Sequence, residues 1–171
     1  MIRIKKGLDI PINGSPADDI TDSKKSRSVA ILGNDYVGMK PTMLVEEGER
    51  VKLGQPLFED KKNPGVIITS PAGGKIESIN RGERRVLQSI VIEIEFDEES
   101  VKFKQVDPND VSNISAEDIR KQLIDSGMWT AFRTRPYSKV PAVDSSPDNI
   151  FISALDTQPV SYTHLTLPTK A

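Results

Sequence analysis

The sequence predicts an α+β chain, with a β-rich module first and the opening of an α/β region after it. Three observations lead there. Between Val45 and Ile79 short apolar runs alternate with glycine turns. From Ser89 to Phe96 apolar residues recur at every second position. At Asp107-Pro108 the pattern switches to a capped helix, a proline-punctuated loop and a further apolar run.

The chain begins with Ile2–Ile4, read as a strand, and Gly7 to Gly14 has loop chemistry at both ends. Residues 15–27 are polar with neither a helical nor a strand period, so 1–28 reads as an N-terminal strand and an exposed connector. Val29–Leu32 is a short strand ending at Gly33, and 34–41 is a loop in which Pro41 biases Lys40 toward extended backbone. Tyr36 and Met39 on that loop are either recognition residues or caps over a sheet edge, roles that an amphipathic ring and an adaptable thioether both suit.

In the central stretch Val45 leads to Gly48, Val51 to Gly54, and Leu57-Phe58 to the polar tip Asp60-Lys61-Lys62-Asn63-Pro64-Gly65. Gly48, Gly54 and Gly74 are each expected in tight turns, where a Cβ would resist the reversal. Val66–Thr69 is continuously apolar and β-branched, as a strand buried on both faces would be. A turn is read over Asn80-Arg81-Gly82-Glu83, after which Arg84 to Gln88 reopens the sheet. Ile90, Ile92, Ile94 and Phe96 then share one face, with Val91, Glu93 and Glu95 on the other. Val101–Val106 is expected to pair back onto that strand, which closes an all-β module at 29–106. Arg81, Arg84 and Arg85 form a basic cluster that reads as a phosphate site or as solvated charge offset by Glu83.

A helix is predicted over about 115–126. Ser115 caps it, Asp118 stands at the capping-box position, and Ile114 can staple onto Ile119. Ile119, Leu123 and Ile124 supply its buried stripe and Gly127 a left-handed stop. Residues 128–142 read as a basic loop and about 149–155 as a strand. The region 107–159 is therefore the start of an α/β domain that the chain does not complete.

Composition narrows the function. Apolar residues make up 36% and charged residues 28%, with a net charge of -2, so no bulk field recruits nucleic acid or anionic lipid. No window approaches the ~20 apolar residues of a bilayer span, and Met1 to Lys6 lacks the apolar run of a secretory signal. With no cysteine, disulfides, thiolate zinc and cysteine-ligated iron–sulfur clusters are excluded within this sequence. A cytoplasmic segment is expected. Residues 160–170 resemble the conceptual translation of a sequencing-library adapter, and 160–171 is expected to be a non-native tail. The sole histidine, His164, lies in it, so no catalytic or metal role is built on that residue.

The spacing V-x-x-G-x-x-V-x-x-G-x-x-L…I-x-S-P-x-x-G-x-I across 45–79 resembles the barrel-sandwich hybrid of biotinyl and lipoyl carrier domains. Three longer stretches are more specific: Asp35 to Met43, Phe58 to Val66, and Gly127 to Pro141. With Gly7 to Ile12 and Asp156-Thr157, they resemble the A subunits of the bacterial sodium-translocating NADH:quinone oxidoreductases. That resemblance covers about 1–159 and implies a peripheral subunit on the cytoplasmic face of the inner membrane. The complex it implies couples electron flow from NADH to quinone to sodium-ion export, with the NAD site, flavins and iron centres in partner subunits. Similar flavin-binding subunits carry a glycine-rich loop after the corresponding helix. Here Thr130, Phe132 and Arg133 stand where the later glycines would be, and their side chains would block a flavin phosphate.

The expected role is accessory and quinone-facing, without a redox centre in this chain. Candidate quinone- or partner-facing residues are Tyr36, Met39, Trp129, Phe132, Arg133 and Tyr137. The more ordinary role for Trp129, Phe132 and Tyr137 is to fix the loop against the uncompleted α/β domain, since buried aromatics usually serve packing. The competing expectation is a biotin or lipoyl carrier modified at Lys61 or Lys62, although the methionine pair that flanks a biotinyl lysine is absent.

Overall fold

The computed structural model describes residues 25–95 and 99–152. The expected strand Ile2–Ile4, the connector up to 24, Phe96, the end of the 149–155 run and the tail at 160–171 lie outside those residues. Residues 25–146 form one compact unit. A second unit comprises Met1–Lys24 with Pro147–Ala171, of which only 147–152 are described.

The alternating run becomes the centre of the larger sheet. The described residues form seven strands: β1 (Ser28–Leu32), β2 (Pro41–Met43), β3 (Arg50–Val51), β4 (Pro56–Asp60), β5 (Ile67–Thr69), β6 (Gly74–Arg81) and β7 (Leu87–Ile94). One sheet has the order β1-β7-β6-β3 and the other β2-β4-β5, with every strand pair antiparallel. Ile90 and Ile92 of β7, Ile76 of β6 and Ile31 of β1 meet Leu57 and Phe58 of β4 and Ile68 of β5 in one shared core. Burying each such side chain is worth about 1.5–3 kcal/mol. This core, and not chain-local propensity, holds the short strands in place.

Register departures in the β6–β7 ladder explain one apparent misfit. Asn80 pairs with Ser89 but Arg81 pairs with Leu87, leaving Gln88 as the extra residue of a bulge. Strict alternation from Ile90 would turn Leu87 outward; the bulge returns it to the core, where it is buried.

The structure corrects several expectations. Val101–Val106 is not a strand. Both edges of β7 are already occupied by β1 and β6, so no ladder is open to it. The chain instead makes an isolated bridge at Ser100 to Leu53, with Val101 N–H donating to Leu53 O at 2.9 Å. Gly48 and Gly54 do adopt positive φ in turns, but Gly74 starts β6. A Cβ there would lie 1.9 Å from Glu93 O, so close backbone approach and not turning demands that glycine. The turn between β6 and β7 centres on Arg84-Arg85 rather than on Gly82, and the sheet resumes only at Leu87.

The helix α1 spans Ala116–Asp125 and is capped by Ser115, whose Oγ accepts from Asp118 N–H and donates to Asp118 Oδ2. Gly127 ends it with φ 76°. Leu123 and Ile124 pack on the core, whereas Ile119 stays exposed, so the buried stripe is shorter than its pattern suggested. The helix end sits directly on β5. Thr69 Oγ1 donates to Ser126 O at 3.2 Å, and a Cβ on Gly127 would lie 2.5 Å from that hydroxyl. This contact covers the outer side of β5 at Thr69. The run expected as a strand at 149–155 is not a strand over its described part, where Phe151 is 92% exposed. Apolar content alone does not make a strand: no described strand pairs with it.

Candidate functional site

Three segments far apart in sequence enclose one cleft of about 350 Å³, the size of a small-molecule site. The first is the loop after β1. Gly33 opens it with no room for a side chain, because a Cβ would lie 2.1 Å from Leu87 O. A 3₁₀ turn at Gly33–Asp35 follows, Tyr36 N–H donates to Gly33 O, and Met39 N–H donates to Tyr36 O. Gly38, at φ 76°, lets the loop turn back toward β2. Tyr36 is seated edge-on to Phe58, with ring centroids 6.1 Å apart, which anchors the loop to the core.

The second segment is the tip of the β4–β5 hairpin. Asp60 Oδ1 accepts from the N–H groups of Lys40 and Lys62 at 2.9 and 3.0 Å. Lys62 Nζ donates to Gly38 O at 2.9 Å, and Lys61 N–H to Lys40 O at 2.8 Å. The tip is thereby tied to the first loop at several points.

Residues 139–142 form the third wall, and three donors from other elements hold the chain around it. Asn63 Nδ2 donates to Val140 O and Pro141 O at 3.2 and 3.0 Å. Trp129 Nε1 donates to Pro141 O at 3.0 Å. Arg120 of α1 lies over the Trp129 ring, 5.8 Å from its centroid, and donates to Val143 O at 2.9 Å. Loop carbonyls that would face water are instead bound to side chains, giving this irregular backbone a defined position.

Val37, Met39, Val66, Ile68, Val140 and Ala142 give the cleft an apolar lining, and Tyr36, Asp60, Lys62, Asn63 and Lys139 give it polar groups. Burial pushes the Tyr36 phenol above its ordinary value of 10.0, Asp35 pushes it the same way, and Arg133 opposes them. The phenol is therefore neutral at physiological pH and keeps a proton to donate.

The candidate residues separate by position. Tyr36 and Met39 line the cleft and also pack against the core. Trp129 is a core residue, 8% exposed, with Phe132 packed edge-on at 5.3 Å; both stand behind the cleft. Arg133 is exposed and donates to the carbonyls of Thr130 and Phe132. Tyr137 is 73% exposed beside Lys139 and lies outside the lining. Sequence reasoning did not single out Asn63 or Lys139 as lining residues, and weighed Lys62 as a modified lysine or a solvated charge. The Asn-Pro-Gly turn after Lys62 was the available signal, since an amide at a hairpin tip suits bonding to neighbouring carbonyls.

In the Gly127–Arg133 segment several polar groups are turned onto the segment itself. Its N–H groups at Thr130 and Phe132 donate to Gly127 O and Trp129 O, and Thr130 Oγ1 folds back onto Gly127 O. Among the described residues, no cluster of His, Cys, Asp and Glu is placed to hold a metal ion. Nor, among them, is any helix long and apolar enough to cross a membrane.

Comparison with known proteins decides the family. Residues 2–95 match the NqrA N-terminal barrel-sandwich hybrid domain, and residues 114–168 match the NqrA second alpha/beta domain. The chain belongs to the NqrA family. The two sheets with their shared core are thus the barrel-sandwich hybrid, and α1 stands at the start of the α/β domain. Similar proteins include the A subunit of the Na(+)-translocating NADH-quinone reductase of Photorhabdus laumondii, 61% identical over 161 residues. The proteins of the same name from Yersinia pseudotuberculosis and Actinobacillus pleuropneumoniae are 57% and 55% identical. Each alignment covers 94% of this chain and 36% of the relative, so the chain spans about a third of the length of the relatives it matches. The second family match runs past Pro159 into the segment that resembles an adapter.

Proposed function

We propose that this chain is the N-terminal part of a peripheral subunit in a complex that couples NADH oxidation and quinone reduction to sodium-ion export. In this reading it acts at the cytoplasmic face of the bacterial inner membrane. It offers a quinone-facing surface and carries no redox centre; NAD, flavins and iron centres belong to partner subunits. The names of the relatives support the complex, and the side chains of Thr130, Phe132 and Arg133, with the bonded N–H groups of Gly127, Thr130 and Phe132, support a role without flavin here.

The observation that carries the quinone-facing role is the cleft. It joins loop 34–41 to the segment after Trp129, the two regions the sequence singled out, although about a hundred residues separate them. A planar quinone ring suits the apolar lining of Met39, Val66 and Ile68. The neutral phenol of Tyr36 can donate to a quinone carbonyl, and Lys62 and Lys139 add positive charge at the rim. Trp129 and Phe132 position the wall, whereas Tyr36 and Met39 touch what enters.

The test uses the whole complex, assembled with the full-length protein, and a photoreactive quinone. Crosslinks are expected in 34–41 and 137–142, and Tyr36→Phe with Met39→Ala is expected to weaken them while assembly persists. Crosslinks elsewhere, or unchanged in that double variant, would overturn the assignment. A carrier role at Lys62 is disfavoured because its Nζ is bonded to Gly38 O; Lys61 keeps an exposed side chain, so the reading there rests on mass alone. Intact mass of the full-length protein tests it: added biotin or lipoate mass would restore that role. We also propose that 29–106 and the region from 107 on are separate domains and that 160–171 is not native. Deleting 160–171 is expected to leave the melting temperature unchanged.

A further inference from the structure

The turn between β6 and β7 breaks a rule of backbone chemistry. Its four residues are Glu83-Arg84-Arg85-Val86, with Val86 N–H donating to Glu83 O at 3.2 Å and Gly82 N–H to Val86 O at 2.8 Å. Both central residues have positive φ, 53° at Arg84 and 60° at Arg85. Hairpin turns of this kind favour Asn-Gly, because a Cβ crowds the backbone in the left-handed region. Here two arginines hold it. Neither they nor Arg81 form an ion pair among the described residues; the ion pairs there join Arg50 to Glu95 and Lys52 to Glu99. Arg81, Arg84 and Arg85 are all exposed, and so is Val86, at 57%. Strain kept at side chains with no internal ion pair is expected where those side chains serve something outside.

We propose that this tip docks an acidic segment of a partner polypeptide, read by the guanidinium groups of Arg84 and Arg85 with Arg81 behind them. A guanidinium pairs with a carboxylate through two parallel hydrogen bonds, a geometry that lysine lacks. Such pairing gains from a fixed presentation, and the closed turn supplies one, with Arg81 Nη1 bonded to Arg85 O at 3.4 Å. An anionic lipid surface is the poorer match. It is typically bound by about 4–8 clustered basic residues, and the net charge of -2 adds no general attraction to it. The inference rests on the proposed membership of a complex, which says where the partner is sought.

The experiment titrates the full-length protein into the remaining subunits purified without it, at low and high salt. Arg84→Asn/Arg85→Gly supplies the residues the turn prefers, so that variant is expected to melt higher than wild type. Its association is nevertheless expected to weaken about tenfold or more, the scale of a lost charged hydrogen-bond pair. Arg84→Lys/Arg85→Lys, which keeps the charge but not the fork, should fall between the two. Wild-type affinity in the Asn-Gly variant overturns the proposal. So does binding of the wild type, but not that variant, to phosphatidylglycerol vesicles without any difference on the partner subunits. Failure of the wild type to associate at all would instead overturn the proposed membership of the complex, and this inference with it.

Discussion

The two hairpin tips of this fold use opposite strategies. The β4–β5 tip is tied to the rest of the fold: Asp60, Lys61, Lys62 and Asn63 all bond to other segments, and Gly65 takes a positive φ that suits it. At the β6–β7 tip the positive-φ positions carry arginine, and the side chains reach solvent. The first tip obeys local turn chemistry because it organises a cleft. The second departs from that chemistry with no internal gain. The contrast separates residues held for the fold from residues held for something beyond it.

Substitutions at the two tips should therefore move stability in opposite directions. The largest loss is expected from Gly65→Val. It places a β-branched residue at φ 86° with its Cβ 3.4 Å from Val143, and should cost about 2 kcal/mol in urea unfolding. Asn63→Ala removes two hydrogen bonds to the 140–141 backbone and should cost about 1–2 kcal/mol. It should also speed hydrogen exchange in 139–145, where a purely local loss would not reach. Arg84→Asn/Arg85→Gly should instead gain about 1 kcal/mol. If all three changes destabilise alike, the distinction between the tips fails.

What the sequence disclosed follows the range of the interactions involved. β7 was legible because alternation over Ser89–Ile94 is a local signal of a half-buried strand, and Gly48, Gly54 and Gly127 were legible because left-handed backbone is a local demand. Gly74 was not, because its constraint is a carbonyl on the neighbouring strand. The fate of 101–106 was hidden because both edges of β7 had been filled by residues some distance away. The turn at Arg84-Arg85 was misplaced because Gly82 carries the usual turn signal and arginine carries none. Of the cleft, the two loops were readable as chemistry. Their meeting depends on Asn63 reaching Val140 and Pro141, a contact across 77 and 78 positions. Trp129 could be read either as a contact residue or as packing, and the choice between them needed its indole N–H, which is spent on Pro141 O within the fold.

The smallest effect expected is also the most direct reading of the cleft as a partly dry site. The burial of Tyr36 is expressed in its acidity. Its phenol titrates above 10.0, because the buried ring loses more by ionising than Arg133 returns, and Asp35 adds to that loss. The sign follows from proton linkage. The folded state holds this proton more tightly than the unfolded chain, so the stabilisation is complete below pH 10.0 and is lost as pH rises through the folded value. Tyr36→Phe removes the titrating group but keeps the ring on Phe58. The stability difference between wild type and that variant should therefore be flat across neutral pH and turn against the wild type only in alkali. The phenolate absorbance missing from the variant should appear above the pH at which free tyrosine ionises. Were that absorbance to appear below pH 10.0, the phenol would be solvated, Arg133 would dominate its surroundings, and a neutral donor in the cleft could no longer be assumed.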